Sequence, residues 1–142
     1  MKTYNSFFIL LILLSTGLFA QPGTNNVKTI ELNTGWQLKE AGFPITYPAT
    51  VPGCVHTDLL AKNIIKDPFY RTNERDEQWI DKVNWEYQTT FDLPTEVFAK
   101  NNIELDFKGL DTYADVYLNE TKLVSTNNMF REWRVDCKKV LK

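Results

Sequence analysis

At 142 residues the chain is long enough for one domain with a core of its own and too short for several. Hydrophobic residues at 43% and charged residues at 24% are globular values that argue against disorder. A net charge of −2 offers no basic field, which sets aside nucleic acid and anionic membrane surfaces as partners.

Met1-Lys2 followed by the apolar run Phe7 to Ala20 reads as a secretory signal peptide over residues 1–20. The run is too short and too interrupted for a spanning helix, which needs about 20 residues, so no membrane partner is expected after cleavage. Export makes one disulfide between Cys54 and Cys137 feasible, although free buried thiols are common enough to be the preferred reading. Two Cys and a single His make a metal site improbable, and no cofactor is expected.

Residues 21–28 read as a polar lead-in expected to be mobile, and residues 29–142 are expected to form one domain. Val27 to Leu38 is predicted as the first strand, with Asn33-Thr34-Gly35 as a turn or bulge and Trp36 in the core. Ala41 to Pro52, punctuated by Pro and Gly, is predicted to run irregularly over the surface. Thr57 to Ala61 is material for one short helix, capped near His56 or Thr57 and ended by Asp67-Pro68. Trp85 to Leu93 alternates Trp85, Tyr87, Thr89 and Phe91 against polar neighbours, the period of a strand, and Pro94 stops it. Thr95 to Asn101 is a polar connection with room for a helical turn.

Ile103 to Ser125 organises the rest. Ile103, Leu105 and Phe107 alternate, as do Ala114, Val116 and Leu118, and Asn119-Glu120 separates the latter from Lys122-Leu123-Val124 as a tight hairpin. Three successive antiparallel strands of this kind predict a meander. Phe130 to Val135 is predicted as a last strand. The fold class is therefore all-β, a two-layer sandwich with one short helix. No repeat or low-complexity tract is visible.

Four stretches carry a resemblance: VPGCVHTDL, DPFYRTNE, NWEY, and GLDTYADVYLN followed by NNMFREW. Together they are similar to the N-terminal, galactose-binding-like jelly-roll sandwich of β-mannosidases in glycoside hydrolase family 2. NTGWQLKE resembles the opening strand of that sandwich. The resemblance spans roughly Ile30 to Leu141, and on it the sandwich is expected to be incomplete at its C-terminus, the chain being a fragment of a longer protein. It implies a parent enzyme that hydrolyses terminal non-reducing β-D-mannose residues, with β-mannoside oligosaccharides as substrates. It also implies an exported location, periplasmic or extracellular, or lysosomal in a eukaryote.

Retaining enzymes of this family use two carboxylates about 5–5.5 Å apart. The resemblance places both on a separate (β/α)₈ barrel that this chain does not contain. No catalytic residue is assigned here, and most of the acidic residues, about nine in ten, are expected to be solvated. What the resemblance does imply is a loop that reaches the barrel and walls its pocket. Arg71, Asn73, Glu74 and Trp79 are its candidates, through hydrogen bonds to sugar hydroxyls and stacking on a pyranose face. The alternative, slightly preferred, is that Arg71 and Glu74 pair locally and Trp79 plugs the sandwich end. His56 has no visible catalytic partner and reads as a capping or packing residue. Asn119-Glu120-Thr121 has the pattern of a glycosylation acceptor in a eukaryotic secretory route. Two further roles remain open: a free-standing carbohydrate-binding module, and a purely structural domain.

Overall fold

A computed structural model describes residues 27–142. The signal peptide expected over residues 1–20 and most of the lead-in lie outside these residues. Of the lead-in, Lys28 is exposed and forms an ion pair with Glu96 at 2.6 Å.

The best-packed part is a three-stranded antiparallel sheet in the order β2-β1-β3, built from β1 (Gln37–Glu40), β2 (Thr46–Pro48) and β3 (Trp85–Gln88). Leu38 stands opposite both Tyr47 and Tyr87 in its register. The strand predicted from Val27 begins only at Gln37. Residues 27–31 are exposed, and Gly35 at φ +74° turns the chain before the ladder starts. The bend is fastened where the Thr89 hydroxyl donates to the Thr34 carbonyl at 3.2 Å. The stretch expected to be irregular contains β2, because Ala41-Gly42, with Gly42 at φ +86°, reverses the chain and returns it along β1.

Helix α1 (Val55–Ala61) lies against this sheet. It starts at Val55, with Cys54 at its cap, rather than at His56 or Thr57. The Thr57 hydroxyl accepts from the Cys54 N–H at 3.3 Å and donates to the Cys54 carbonyl at 2.7 Å. The helix also ends well before Pro68. Asn63 adopts φ +56°, its N–H donates to the Leu60 carbonyl at 2.9 Å, and the Ile64 N–H donates to the Leu59 carbonyl at 3.0 Å. This is a Schellman end with Asn in the left-handed position. Leu38, Leu59, Ile65 and Ile80 are buried together, with Tyr47, Val55, Trp85 and Tyr87 packed around them. Burial of each such aliphatic side chain contributes about 1.5–3 kcal/mol.

The one expected helix is joined by α2 (Asn73–Asp76) and α3 (Thr95–Phe98), and by a 3-10 turn at Ile80–Lys82. The third lies in the connection predicted to have room for it. The second half of the chain carries β4 (Glu104–Phe107), β5 (Tyr113–Leu118), β6 (Thr121–Asn127) and β7 (Trp133–Asp136). The predicted hairpin is present. Asn119 and Glu120 both take positive φ, +47° and +67°, the requirement of a type I′ turn between β5 and β6. The predicted three-strand meander is not. β4 pairs with β7 and not with β5, giving two two-stranded sheets among the described residues. Alternation sets which face a side chain joins, but not which neighbour its strand chooses. β4, β5 and β7 each present one half-buried face and one exposed face.

Candidate substrate-facing loop and cleft

The segment from Asp67 to Ile80 holds all four residues that the sequence singles out. Its turn is built by Asp67. The Asp67 carboxylate accepts from the Phe69 N–H at 2.9 Å, and its carbonyl accepts from the Tyr70 N–H at 3.1 Å and from Asn73 Nδ2 at 2.8 Å. Arg71 takes φ +56°, a left-handed conformation that costs a branched or long side chain about 1–2 kcal/mol and is held here by the bonds around it. Asn73 is therefore a loop-builder, its amide already engaged on the protein side.

Arg71 and Glu74 are exposed, and the guanidinium of Arg71 lies over the Tyr70 ring at 5.1 Å from its centre. The local Arg71–Glu74 ion pair that the sequence allowed does not form. Glu74 instead offers its carbonyl to Gln78 Nε2 at 3.1 Å. Trp79 stands apart from the tip. Its ring packs at 5.9 Å and 51° against Trp85, whose indole N–H donates to the Ile80 carbonyl at 2.9 Å. Trp79 lines a cleft of about 90 Å³ with Glu40, Phe43, Ile45, Tyr47 and Trp85. The sequence reading missed Glu40, Phe43 and Ile45. The signal was there in the period-two spacing of Phe43, Ile45 and Tyr47, masked by the prolines among them.

Two acidic residues are buried, a minority that the expectation of mostly solvated acids allows. Asp58, 3% exposed, accepts from the Thr50 N–H at 3.0 Å and from the Tyr87 hydroxyl at 3.1 Å. Burial, reinforced by the Asp58 carboxylate, raises the Tyr87 hydroxyl pKa well above the ordinary tyrosine value. Glu77, 7% exposed, accepts from the Lys66 N–H at 3.0 Å through Oε1, while Oε2 has no partner among the described residues. His56 is exposed on α1. Cys54 and Cys137 are both free, the first exposed and the second buried. Asn119, exposed at the hairpin tip, donates through Nδ2 to the Val140 carbonyl at 2.8 Å.

A mostly strand-built domain with few helical turns, bearing an ordered loop and an aromatic cleft, is the setting in which comparison with known proteins becomes informative. The family model described as glycosyl hydrolase 2 galactose-binding domain-like matches residues 36–142. The chain belongs to that family. It is 42% identical over 110 residues to a β-mannosidase of Bos taurus, a match covering 78% of this chain and 12% of the relative. It is 40% identical over 117 residues to β-mannosidase B of Aspergillus terreus, covering 78% of this chain and 13% of the relative. The solved β-D-mannosidase of Dictyoglomus thermophilum superposes with a TM-score of 0.78 at 37% identity, over 80% of this chain and 14% of that one. The galactose-binding-like fold expected from the motifs is thus borne out. The chain spans only about an eighth of its relatives, as the domain-level shares of 12% and 13% show.

Proposed function

We propose that this chain is the sugar-facing sandwich of a β-mannosidase, supporting a (β/α)₈ barrel that hydrolyses terminal β-D-mannose residues. Residues 29–142 are the domain and residues 1–20 its export signal, which places the parent enzyme in the periplasm or outside the cell, or in a lysosome-like compartment of a eukaryote. The observation that carries the reading is the family match over residues 36–142 together with the similarity to β-mannosidases of Bos taurus and Dictyoglomus thermophilum. The domain's part is to wall the substrate pocket: Arg71 and Glu74 present charge and hydrogen-bonding groups at the tip, Asn73 fixes the loop, and Trp79 offers an aromatic face.

A second reading is favoured by one observation. Asn73 bonds within its own loop and Trp79 packs on Trp85, so both have protein-side work independent of sugar. On that reading the domain braces the barrel without touching substrate. Calorimetric titration of the chain with mannose and manno-oligosaccharides separates the two. Heat at millimolar ligand that is lost in Trp79→Ala supports pocket walling, whereas no heat across that range leaves the bracing role.

A further inference from the structure

Neither reading uses Glu77. It is 7% exposed, and among the described residues it forms no ion pair and leaves Oε2 without a partner. Only Oε1 is engaged, accepting from the Lys66 N–H at 3.0 Å. A carboxylate buried on those terms costs stability that an apolar side chain of similar volume would not. Its single bond joins residue 66 to residue 77, the two ends of the excursion that carries Arg71, Asn73 and Glu74.

Between those ends the chain is bonded to itself. Asp67 accepts from the Phe69 and Tyr70 N–H groups and from Asn73 Nδ2. The Tyr70 carbonyl accepts from the Asn73 N–H, and the Thr72 carbonyl from the Arg75 N–H. The Glu74 carbonyl accepts from the Glu77 N–H and from Gln78 Nε2. Arg71 stacks within the same segment, on Tyr70. None of residues 67–76 is buried, whereas Ile65 and Ile80 on either side belong to the core cluster. A loop of about 6–16 residues with its ends together and its bonds internal is an Ω-loop. Here it is a self-built head on a neck, and the Lys66–Glu77 bond is the tie across that neck.

We propose that Glu77 is a positioning residue: its carboxylate staples the neck of the loop and sets the angle at which the preformed head presents Arg71 and Glu74. Without the staple the head swings as one body and keeps its internal bonds. The inference holds whether the loop walls a sugar pocket or braces a barrel.

Two substitutions of similar volume test it by nuclear magnetic resonance on the full chain. Glu77→Met removes the acceptor and leaves the space filled, while Glu77→Gln keeps the acceptor. In Glu77→Met, amides of residues 67–76 should move together, seen as relaxation dispersion with one exchange rate or as an equal drop in order parameter. Hydrogen exchange at Phe69, Tyr70 and Arg75 should stay unchanged, and at Lys66 it should quicken at least about tenfold. Glu77→Gln should restore the native pattern at every one of these amides, a rescue that a space-filling role would not need. A head as still in Glu77→Met as in the unsubstituted chain overturns the proposal. So does a separate rate for each residue with protection lost at Phe69, Tyr70 and Arg75, because the head would then be melting. Unfolding of Glu77→Met, or motion that spreads into β1, β2 and β3, makes Glu77 a core support and overturns it too. A Glu77→Gln head that swings as the Glu77→Met head does is equally fatal.

Discussion

Asp58 joins three parts of the chain through one carboxylate: its own helix, the backbone at Thr50, and the Tyr87 side chain on β3. Asp58→Ala leaves the Thr50 N–H and the Tyr87 hydroxyl without their acceptor, and each stranded group costs about 1–3 kcal/mol. Urea unfolding should show a lowered midpoint with an unchanged slope. Tyr87→Phe should cost less, about 1 kcal/mol, since only one bond is lost. The raised Tyr87 pKa adds a pH dependence. Below about pH 10, where the unfolded chain's tyrosine is still protonated, its stabilisation is fully present. Above that the unfolded state sheds the proton first, so stability falls as pH rises toward the folded value. The Tyr87→Phe variant should show a shallower loss across that alkaline window in the same urea titrations. Glu77 is the opposite case. Oε2 is buried without a partner among the described residues, so Glu77→Gln, which keeps the acceptor for Lys66 N–H and removes the buried charge, should be neutral or stabilising, whereas Glu77→Ala should lower the thermal midpoint. Neither acid was legible in advance. Each stands among other charged or polar residues in sequence, and only the fold turns it inward.

At the scale of elements, hydrogen-bonded turns decide where strands and helices begin. The hairpin Asn119-Glu120 was readable because two residues between alternating runs leave few turn geometries, and both positive φ values follow from the type I′ twist. Glu120 at +67° is the strained member. Glu120→Gly should raise stability by up to about 1 kcal/mol, the left-handed penalty of a side chain less the entropy cost of glycine, and differential scanning calorimetry checks it. Asn119 should be left alone, because its amide holds Val140. The end of α1 shows why boundaries were misread. Pro68 is a helix stop in any sequence, but Asn63, seven residues after Thr57's neighbour His56, closes the helix earlier through a left-handed cap that asparagine accepts almost as readily as glycine. Likewise Ile30 and Leu32 have the alternation of a strand but pair with no strand among the described residues.

Taken whole, the chain concentrates its packing at one end. Leu38, Leu59, Ile65 and Ile80 form the buried cluster beneath β1, β2 and β3, while β4, β5 and β7 keep their apolar faces only half covered. Amide exchange should therefore be slowest at Leu38 and Tyr87 and faster along β4 and β7, because local opening there exposes less buried apolar surface. Uniform protection across all seven strands of the described residues would contradict this. Family membership was legible from the chain, since VPGCVHTDL carries the Cys54 cap of α1 and DPFYRTNE an Asp-built turn whose geometry depends on those residue types. Strand order was not, because β4 reaches β7 across the intervening hairpin, and that choice belongs to tertiary packing.

The two thiols are unequal in a way that chemistry can use. Cys54 lies in the open at the head of α1, while Cys137 is 2% exposed, and burial raises its thiol pKa. A maleimide dye should therefore attach once, at Cys54, without any cysteine being engineered in or out. It would put a single optical reporter beside the segment that Asp58 anchors.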